Sequence, residues 1–347
     1  MIGSIIKIHS DFYYVKAENI IFECKIREKI KKQKQEILVG DLVQLDEINP
    51  DTNQYVITEI LDRKNFIPRP SIANIDQIIV VAALDQPPLD FIQLNRYLIQ
   101  AKLYNIPAVL CINKSDLEDK ENLKIKINLI YKNLGYEIVF TSALTGEGIE
   151  EFKNILSSQK TVLAGASGVG KSSLLNKIHH ELHLKTGFIS SKSLRGTHTT
   201  RYIEILDIPL SGDRSAQVAD TPGFSYLKFD NVLPNIIKDL FDEIKLLSKD
   251  CYFSNCLHLE EDGCNIIANI DKIDFSRYKS YKIFVNEALK YKEKLARLGH
   301  KKEKLTKNLD TNDKEKLKIA KLGIRSKEKS RRVNKQELNF VSILENA

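Results

Sequence analysis

A glycine-rich loop between a short apolar strand and a helix constrains the fold of this chain most strongly. The segment from Gly165 to Ser172 has the form G-x-x-x-x-G-K-S, and it follows KTVLA and opens SSLLNKI. Glycines let the backbone curl so that its N–H groups converge on phosphate at the positive end of the helix. We predict that Lys171 reaches the β- and γ-phosphates of a nucleotide and that Ser172 binds Mg²⁺. The predicted lining is Gly165, Ala166, Ser167, Gly168, Val169, Gly170, Lys171, Ser172 and Ser173.

A second motif, Asn113-Lys114-Ser115-Asp116, follows the strand PAVLCI and indicates which base is bound. A carboxylate at Asp116 can accept hydrogen bonds from N1–H and N2–H₂ of guanine, whereas adenine offers no such pair of donors. Asn113 is expected to support N7 and the loop, and Lys114 to lie along the base. The partner loop, Thr141-Ser142-Ala143, is expected to direct a backbone N–H at guanine O6. The four motif residues, with Ser142 and Ala143, therefore predict GTP rather than ATP.

The segment Asp220-Thr221-Pro222-Gly223 follows the strand SAQVA and has the D-x-x-G form. Asp220 is expected to hold Mg²⁺ through water, and the Gly223 amide to sense the γ-phosphate. The polar segment 195–200 stands where a switch loop supplies a threonine to Mg²⁺ and phosphate. Either Thr199 or Thr200 fits that role.

The order of these motifs is unusual, because N-K-x-D and T-S-A precede the phosphate-binding loop and D-x-x-G. The chain is therefore expected to be a circularly permuted GTP hydrolase, which keeps the same sheet with a different chain order. Phe224 stands where many GTPases carry a glutamine that orients water, and a phenyl ring cannot do so. His198 is a candidate for that catalytic role. Alternatively, it is a loop histidine that packs or contacts a partner.

The hydrophobic pattern predicts a multi-domain α/β protein. Five short strands at the start suggest a barrel of the OB type, and from about residue 71 strands alternate with helices as in a mostly parallel sheet. The helical candidates in this part include residues 90–104, 120–134, 148–157 and 171–179. Residues 235–298 look helical apart from an insert rich in cysteine. The expected division is a barrel, a permuted GTPase domain, a helical zinc-binding domain and a basic tail, at residues 1–68, 69–232, 233–298 and 299–347.

The insert contains Cys251, Cys256, His258 and Cys264 within fourteen residues. Three thiolates and one imidazole match a closed tetrahedral zinc site, which leaves no position for water and is therefore structural. Cys24 and Cys111 lie in apolar strands and are expected to be core residues.

Positive charge is concentrated at the end of the chain. The formal net charge is +7, and residues 290–347 hold 18 Lys and Arg against 8 Asp and Glu. Such a tail attracts polyanions such as nucleic acid, although it can also be merely solvated. The same two interpretations apply to the basic run KIREKIKKQKQ at residues 25–35. The chain shows neither a long apolar run nor a signal-peptide pattern, so we expect a cytoplasmic protein without a membrane partner.

The barrel, the permuted motifs and the C-x4-C-x-H-x5-C spacing together resemble the ribosome small subunit-dependent GTPase A family over residues 1–298. Arg69-Pro70 and the segment from Ala73 to Gln77 are similar to that family's entry into its GTPase domain. The resemblance implies a late factor in assembly of the small (30S) ribosomal subunit that binds ribosomal RNA and is stimulated by the subunit. It also implies a hydrophobic residue and a switch-loop histidine like Phe224 and His198.

We therefore predict a GTPase of late small-subunit maturation, with GTP as substrate, Mg²⁺ and one structural Zn²⁺. Its expected partners are the small ribosomal subunit and its rRNA, with no DNA partner, and the protein is expected to be a monomer. The alternative is a nucleotide-gated RNA-binding module in which turnover is incidental. A regulator of another RNA assembly is a third interpretation.

Overall fold

The computed structural model describes residues 1–28, 30, 36–49, 54–117, 120–179, 203–210, 213–220 and 228–307. The chain divides into two compact units. Unit 1 comprises Met1–Leu227 and Ile270–Ser280, and unit 2 comprises Lys228–Asn269 and Tyr281–Ala347. In the described ranges, no helix is long and apolar enough to cross a lipid bilayer.

Unit 1 begins with five short strands, which are β1 (Ile2–His9), β2 (Phe12–Ala17), β3 (Ile20–Ile26), β4 (Leu42–Asn49) and β5 (Gln54–Ile60). They pair in the order β1-β2-β3-β5-β4, and a further pairing of β1 with β4 closes the barrel. Alternate side chains point inward, so that Phe22 and Cys24 are buried while Glu23 is exposed. The predicted OB-type barrel is confirmed.

A small hairpin of β6 (Phe66–Pro68) and β7 (Ser71–Ala73) follows the barrel. The sequence analysis did not predict it, because three-residue strands carry too little periodicity to be recognised. Ile67 and Ile72 are fully buried in it. Val39, which precedes the fourth barrel strand, forms a bridge with Ile72, so the hairpin packs beside the barrel.

The remaining strands of unit 1 form the sheet that carries the nucleotide motifs, and they are β8 (Gln77–Ala83), β9 (Ala108–Asn113), β10 (Glu137–Phe140), β11 (Lys160–Ala164), β12 (Glu204–Pro209) and β13 (Ser215–Asp220). Their order is β10-β9-β8-β11-β13-β12. All neighbours are parallel except β12, which is antiparallel to β13. The predicted mostly parallel sheet is confirmed.

Helices cover both faces of this sheet. The four predicted helices, at 90–104, 120–134, 148–157 and 171–179, are present as α1 (Phe91–Leu103), α2 (Glu121–Asn133), α3 (Ile149–Leu156) and α4 (Lys171–Ile178). Along β8, Ile78 and Val80 belong to one apolar cluster, and Ile79 and Val81 belong to the other. A strand buried on both faces shows a continuous apolar run in its sequence, as the segment QIIVVAA does.

The barrel and the sheet are connected through β12. Its first residue, Glu204, pairs with Lys7 of β1 in antiparallel register, which joins eleven strands into one sheet. Two ion pairs strengthen the connection: the Lys7 ammonium lies 3.1 Å from Glu204, and the Lys16 ammonium lies 3.0 Å from Asp207. The strand that follows the predicted switch segment is therefore attached to the barrel.

Unit 2 is helical, with α5 (Pro234–Leu240), α6 (Asp242–Leu247), α7 (Asn265–Ala268) and the part of α8 (Phe275–Lys307) that begins at Tyr281. Its core contains packed aromatic rings. The ring centroids of Phe229 and Phe284 are 4.8 Å apart, and those of Phe241 and Tyr281 are 5.4 Å apart. The Tyr281 hydroxyl donates to the carbonyl of Leu257 at 2.8 Å, which connects this core to the cysteine-rich loop.

One buried ion pair provides a test of how the barrel is stabilised. The Asp41 carboxylate is fully buried and accepts from Arg63 Nε at 2.7 Å, from Arg63 Nη2 at 2.9 Å and from the Leu38 N–H at 2.8 Å. We expect Asp41→Asn to lower the free energy of unfolding by about 3 kcal/mol, because Arg63 then loses its charged partner. Urea denaturation measures this change. Asp46→Asn, at an exposed pair with Arg27, should change it by less than about 1 kcal/mol; equal effects would contradict the prediction.

Candidate functional site

The motif loops lie at one edge of the sheet. Parallel strands end at the same edge, so the loops after β9, β10 and β11 come together although they are separated along the chain. Asn113 ends β9, Thr141 follows β10 and Gly165 follows β11. Asp220 ends β13, the strand on the other side of β11. The permuted order of the motifs therefore leads to a single edge.

Two glycines give the phosphate-binding loop its shape. Gly165 has φ +151°, and a Cβ there would lie 2.2 Å from the carbonyl oxygen of Val81. Gly170 has φ +99°, and its Cβ would lie 2.2 Å from Asn113 Nδ2. Since real side chains do not approach backbone and amide atoms so closely, both positions require glycine. The loop is thereby packed against neighbouring strand ends before α4 begins.

The Lys171 ammonium points back over this loop. It donates to the carbonyl oxygens of Gly165 at 2.7 Å and Ala166 at 2.9 Å. Ser172 and Ser173 follow in the first turn of α4 and are partly buried, while Ser167 and Gly168 are exposed at the tip of the loop. A lysine, hydroxyl groups and the positive end of a helix therefore meet at one place, which is an arrangement that attracts phosphate.

Asn113 connects three loops through one buried amide. Its Nδ2 donates to the carbonyl of Val169 in the phosphate-binding loop at 2.9 Å. Its Oδ1 accepts from the Ala143 N–H at 3.2 Å and from the Thr141 hydroxyl at 3.4 Å. The side chain is 1% exposed. The sequence analysis assigned Asn113 to support the base and the loop; the structure brings it together with the phosphate-binding loop as well.

The loop after β10 is held in a tight turn with the help of Thr145 and Glu147, which the sequence analysis did not identify. Glu147 accepts a hydrogen bond from the Ser115 hydroxyl at 2.9 Å, and the Ser115 N–H donates to the Thr141 carbonyl at 3.0 Å. The Ser142 hydroxyl accepts from the Thr145 N–H at 3.0 Å. Two flanking glycines in T-G-E-G were the only signal of this turn. Asp116, partly buried, lies next to Ser115 in this arrangement.

The two isolated cysteines are core residues, as predicted. Cys24 and Cys111 are 1% and 0% exposed. Burial raises the pKa of Cys24 to about 11 and that of Cys111 to about 12, so both thiols are protonated at neutral pH. Neither is therefore suited to act as a nucleophile.

Unit 2 contains the predicted metal cluster. One ligand atom from each of Cys251, Cys256, His258 and Cys264 lies within 4.8 Å of the others. His258 Nδ1 is 3.5 Å from the sulfurs of both Cys251 and Cys264. Sulfur and nitrogen ligands on a tetrahedral ion are about 3.5 Å apart, given metal–ligand bonds of about 2.3 and 2.0 Å. The spacing therefore fits a metal ion.

Burial shifts the pKa of two residues of this cluster, His258 and Cys256. It lowers the pKa of His258 to about 4, so the imidazole is neutral and has a lone pair for a metal. It raises the pKa of Cys256 to about 12, so metal binding must displace the thiol proton.

Glu261 shapes the loop around His258. It accepts from the backbone N–H groups of Leu257, Leu259 and Glu260 at 2.6, 2.8 and 3.2 Å. Burial acts to raise the pKa of Glu261, but these hydrogen bonds outweigh it and lower the pKa below its ordinary value. A charged carboxylate therefore fixes the backbone on both sides of His258. The sequence analysis missed this residue, because an acidic side chain beside a cluster has no distinctive spacing.

Several predicted residues lie outside the described part of the chain. They include the switch candidates His198, Thr199 and Thr200, as well as Gly223 and Phe224, and most of the basic tail. Of the basic run at 25–35, Lys25 and Ile26 belong to β3, and residues 29 and 31–35 are outside the description. For Asp220, the structure gives the backbone, which pairs with Glu204.

Comparisons with known proteins agree with this arrangement. The sequence profile of the RsgA GTPase matches residues 60–230, and that of the RsgA N-terminal domain matches residues 2–56. The small ribosomal subunit biogenesis GTPase RsgA of Caldanaerobacter subterraneus subsp. tengcongensis is 40% identical over 294 residues, which cover 84% of this chain and 97% of that protein. The protein of the same name from Bacillus cereus is 43% identical over 290 residues, covering 82% and 96%.

Two solved structures share the fold. YjeQ from Thermotoga maritima has a TM-score of 0.70 and 33% identity, covering 83% of this chain and 98% of that chain. YloQ, described as a circularly permuted GTPase, has a TM-score of 0.68 and 31% identity, covering 83% and 95%. The two profile matches, these relatives and the permuted motifs that meet at one sheet edge lead to the same conclusion: the chain belongs to the RsgA GTPase family.

Proposed function

We propose that this protein binds GTP at the edge of its parallel sheet and hydrolyses it during assembly of the small ribosomal subunit. The observation that carries the proposal is the Asn113 amide, which joins the phosphate-binding loop, the N-K-x-D loop and the T-S-A loop around one place. The names of the relatives support the ribosomal role. Partners are then the small subunit and its rRNA, with no DNA or membrane partner, and the protein acts as a monomer in the cytoplasm.

In this proposal, residues 165–173 cradle the phosphates, and Lys171 leaves the Gly165 and Ala166 carbonyls to reach the β- and γ-phosphates. Asp116 accepts from the guanine edge, while Lys114 lies along the base and the Ala143 N–H faces O6. Ser172 and Asp220 are the residues that would hold Mg²⁺. The ion supplies charge neutralisation at the phosphates when it is bound.

Catalysis requires a group that orients water, and His198 is our candidate because Phe224 cannot do so. Thr199 or Thr200 would contact the γ-phosphate, and the Gly223 amide would sense its presence. We also propose that the cysteine cluster holds one structural Zn²⁺ and that the domain limits are 1–68, 69–232, 233–298 and 299–347. The barrel and the zinc-binding helical domain would then bind rRNA.

Hydrolysis measured with and without small ribosomal subunits tests the central proposal. We expect subunits to stimulate multiple turnover by wild-type protein, and Lys171→Ala to lower the stimulated rate by at least about 100-fold, because the charge on the transferred phosphoryl group loses its clamp. Lys153→Ala is the matched control, since Lys153 pairs with Glu150 on the surface of α3. A wild-type protein that binds GTP but is not stimulated would support the nucleotide-gated RNA-binding module instead.

The close approach of Gly170 to Asn113 gives a second test. We expect Gly170→Ala to weaken GDP binding by about tenfold or more, because the new methyl group displaces the amide that joins the loops. Fluorescence titration with GDP measures the dissociation constant. The control is Gly135→Ala, whose φ of +81° imposes similar backbone strain but whose Cβ would have no atom within 4 Å. Equal GDP affinities for the two variants would rule out this role of Asn113.

Metal analysis tests the zinc proposal. Purified wild-type protein should contain about one zinc per chain by mass spectrometry, and Cys256→Ser should lose it, because a closed site needs all four ligands. Unit 2 should then become sensitive to proteolysis. Cys24→Ala, at a buried thiol of the barrel, should keep the full zinc content. Zinc retained by Cys256→Ser, or absent from the wild type, would reject the assignment.

A further inference from the structure

A short segment after β8 contacts both of the loops proposed to enclose the nucleotide. This segment, residues 84–88, has the sequence LDQPP and lies at the same edge of the sheet. The Leu84 N–H donates to the carbonyl of Asn113 at 3.2 Å. On the other side, a Cβ on Gly168 of the phosphate-binding loop would lie 3.7 Å from Pro87 Cδ. The segment therefore lies between the loop after β9 that carries the N-K-x-D motif, here called the base loop, and the phosphate-binding loop.

One hydrogen bond ties this segment to Lys114, and a second lies within the segment, between Gln86 and Asp85. The Lys114 ammonium donates to the carbonyl oxygen of Gln86. The Gln86 N–H in turn donates to the Asp85 carboxylate at 2.8 Å, which fixes the orientation of this residue. Asp85 therefore holds the residue whose carbonyl accepts the hydrogen bond from Lys114.

Asp85 also contacts the far side of the base loop. Its other carboxylate oxygen lies 3.3 Å from the ammonium of Lys120, and both side chains are about one-third exposed. The hydrogen bond from Gln86 N–H, followed by that from Lys120, lowers the pKa of Asp85 below its ordinary value. The carboxylate is therefore charged at neutral pH, as both contacts require.

Lys114 and Lys120 stand on either side of Asp116 in the sequence, two residues before it and four residues after it. The segment 85–86 holds both of them. We propose that Asp85 is a positioning residue for guanine recognition: its carboxylate braces the base loop at both ends, so that Asp116 is presented in one orientation to the base. This inference rests on the proposed guanine role of Asp116.

The simpler interpretation is a surface ion pair without effect on binding. A partly exposed pair contributes little to stability, so its loss alone would leave the base loop unchanged. The two interpretations differ in one measurable respect. A brace for Asp116 affects the contacts to guanine, whereas a neutral surface pair affects no nucleotide.

Titrations with GDP and with inosine diphosphate (IDP) separate these interpretations. Hypoxanthine lacks the exocyclic amino group of guanine, so IDP can make only one of the two hydrogen bonds to Asp116. We expect Asp85→Ala to raise the dissociation constant for GDP by about fivefold and that for IDP by less than twofold. The preference for GDP over IDP should therefore decrease. Dissociation constants that do not change, or that rise equally for both nucleotides, would overturn the proposal.

Two further variants exclude an indirect effect. Asp90 lies in the same connection but caps α1, accepting from the N–H groups of Ile92 and Gln93. Asp90→Ala should lower stability without changing the GDP-to-IDP ratio; a ratio reduced as in Asp85→Ala would contradict a specific role of Asp85. Lys120→Ala should weaken GDP binding, and adding Asp85→Ala should cost less than the two single effects combined. Full additivity would show that the two residues act separately.

The wild-type titration separates failure of this inference from failure of the proposed function. If wild-type protein binds GDP no better than IDP, the proposed guanine role of Asp116 is wrong, and the role of Asp85 falls with it. If the wild type prefers GDP and Asp85→Ala keeps the full preference, only the role of Asp85 is wrong.

Discussion

The hydrogen bonds of one buried amide, that of Asn113, hold together the motif loops at one edge of the sheet. Asn113 donates to Val169 and accepts from Ala143, so the loops that follow β9, β10 and β11 are fixed relative to one another. A buried amide with only some of its partners would cost free energy, which makes the arrangement of the three loops mutually dependent. The absence of a side chain at Gly170 belongs to the same arrangement, because any Cβ there would displace the amide.

Circular permutation is compatible with this site because of the geometry of parallel strands. Every parallel strand delivers its following loop to the same edge, whatever its position in the chain. In this protein β8 precedes β11 in sequence but pairs with it in the sheet, and β9 pairs with the other side of β8. The strand after the switch segment, β12, is attached to the barrel through Lys7 and Lys16. The barrel is thereby connected to the edge strand that follows the predicted switch segment in the sequence.

Local patterns were sufficient to predict the barrel strands, the strands and helices of the parallel sheet, and the motifs, but not the short hairpin of β6 and β7. Apolar runs such as QIIVVAA identified the strands, and the limits of all four predicted helices of the sheet agree with the structure to within one residue. Motifs with fixed spacing, such as the cysteine cluster, were predicted because all four residues of the cluster stand within fourteen positions of one another. Asp85, Glu147 and Glu261 were not predicted. Each acts through partners that are chosen by how the loops pack, and single acidic residues in loops carry no such information.

The sequence by itself determined the strands of the barrel, the strands and helices of the parallel sheet, the nucleotide motifs, their permuted order and the cysteine spacing, because each depends on residues close together in the chain. Only the tertiary structure decided that Asn113 joins three loops, that Lys7 and Lys16 attach β12 to the barrel, and that Asp85 contacts Lys120. These contacts join residues far apart in sequence or on separate loops. Their formation depends on strand order and loop packing, which residue spacing does not encode.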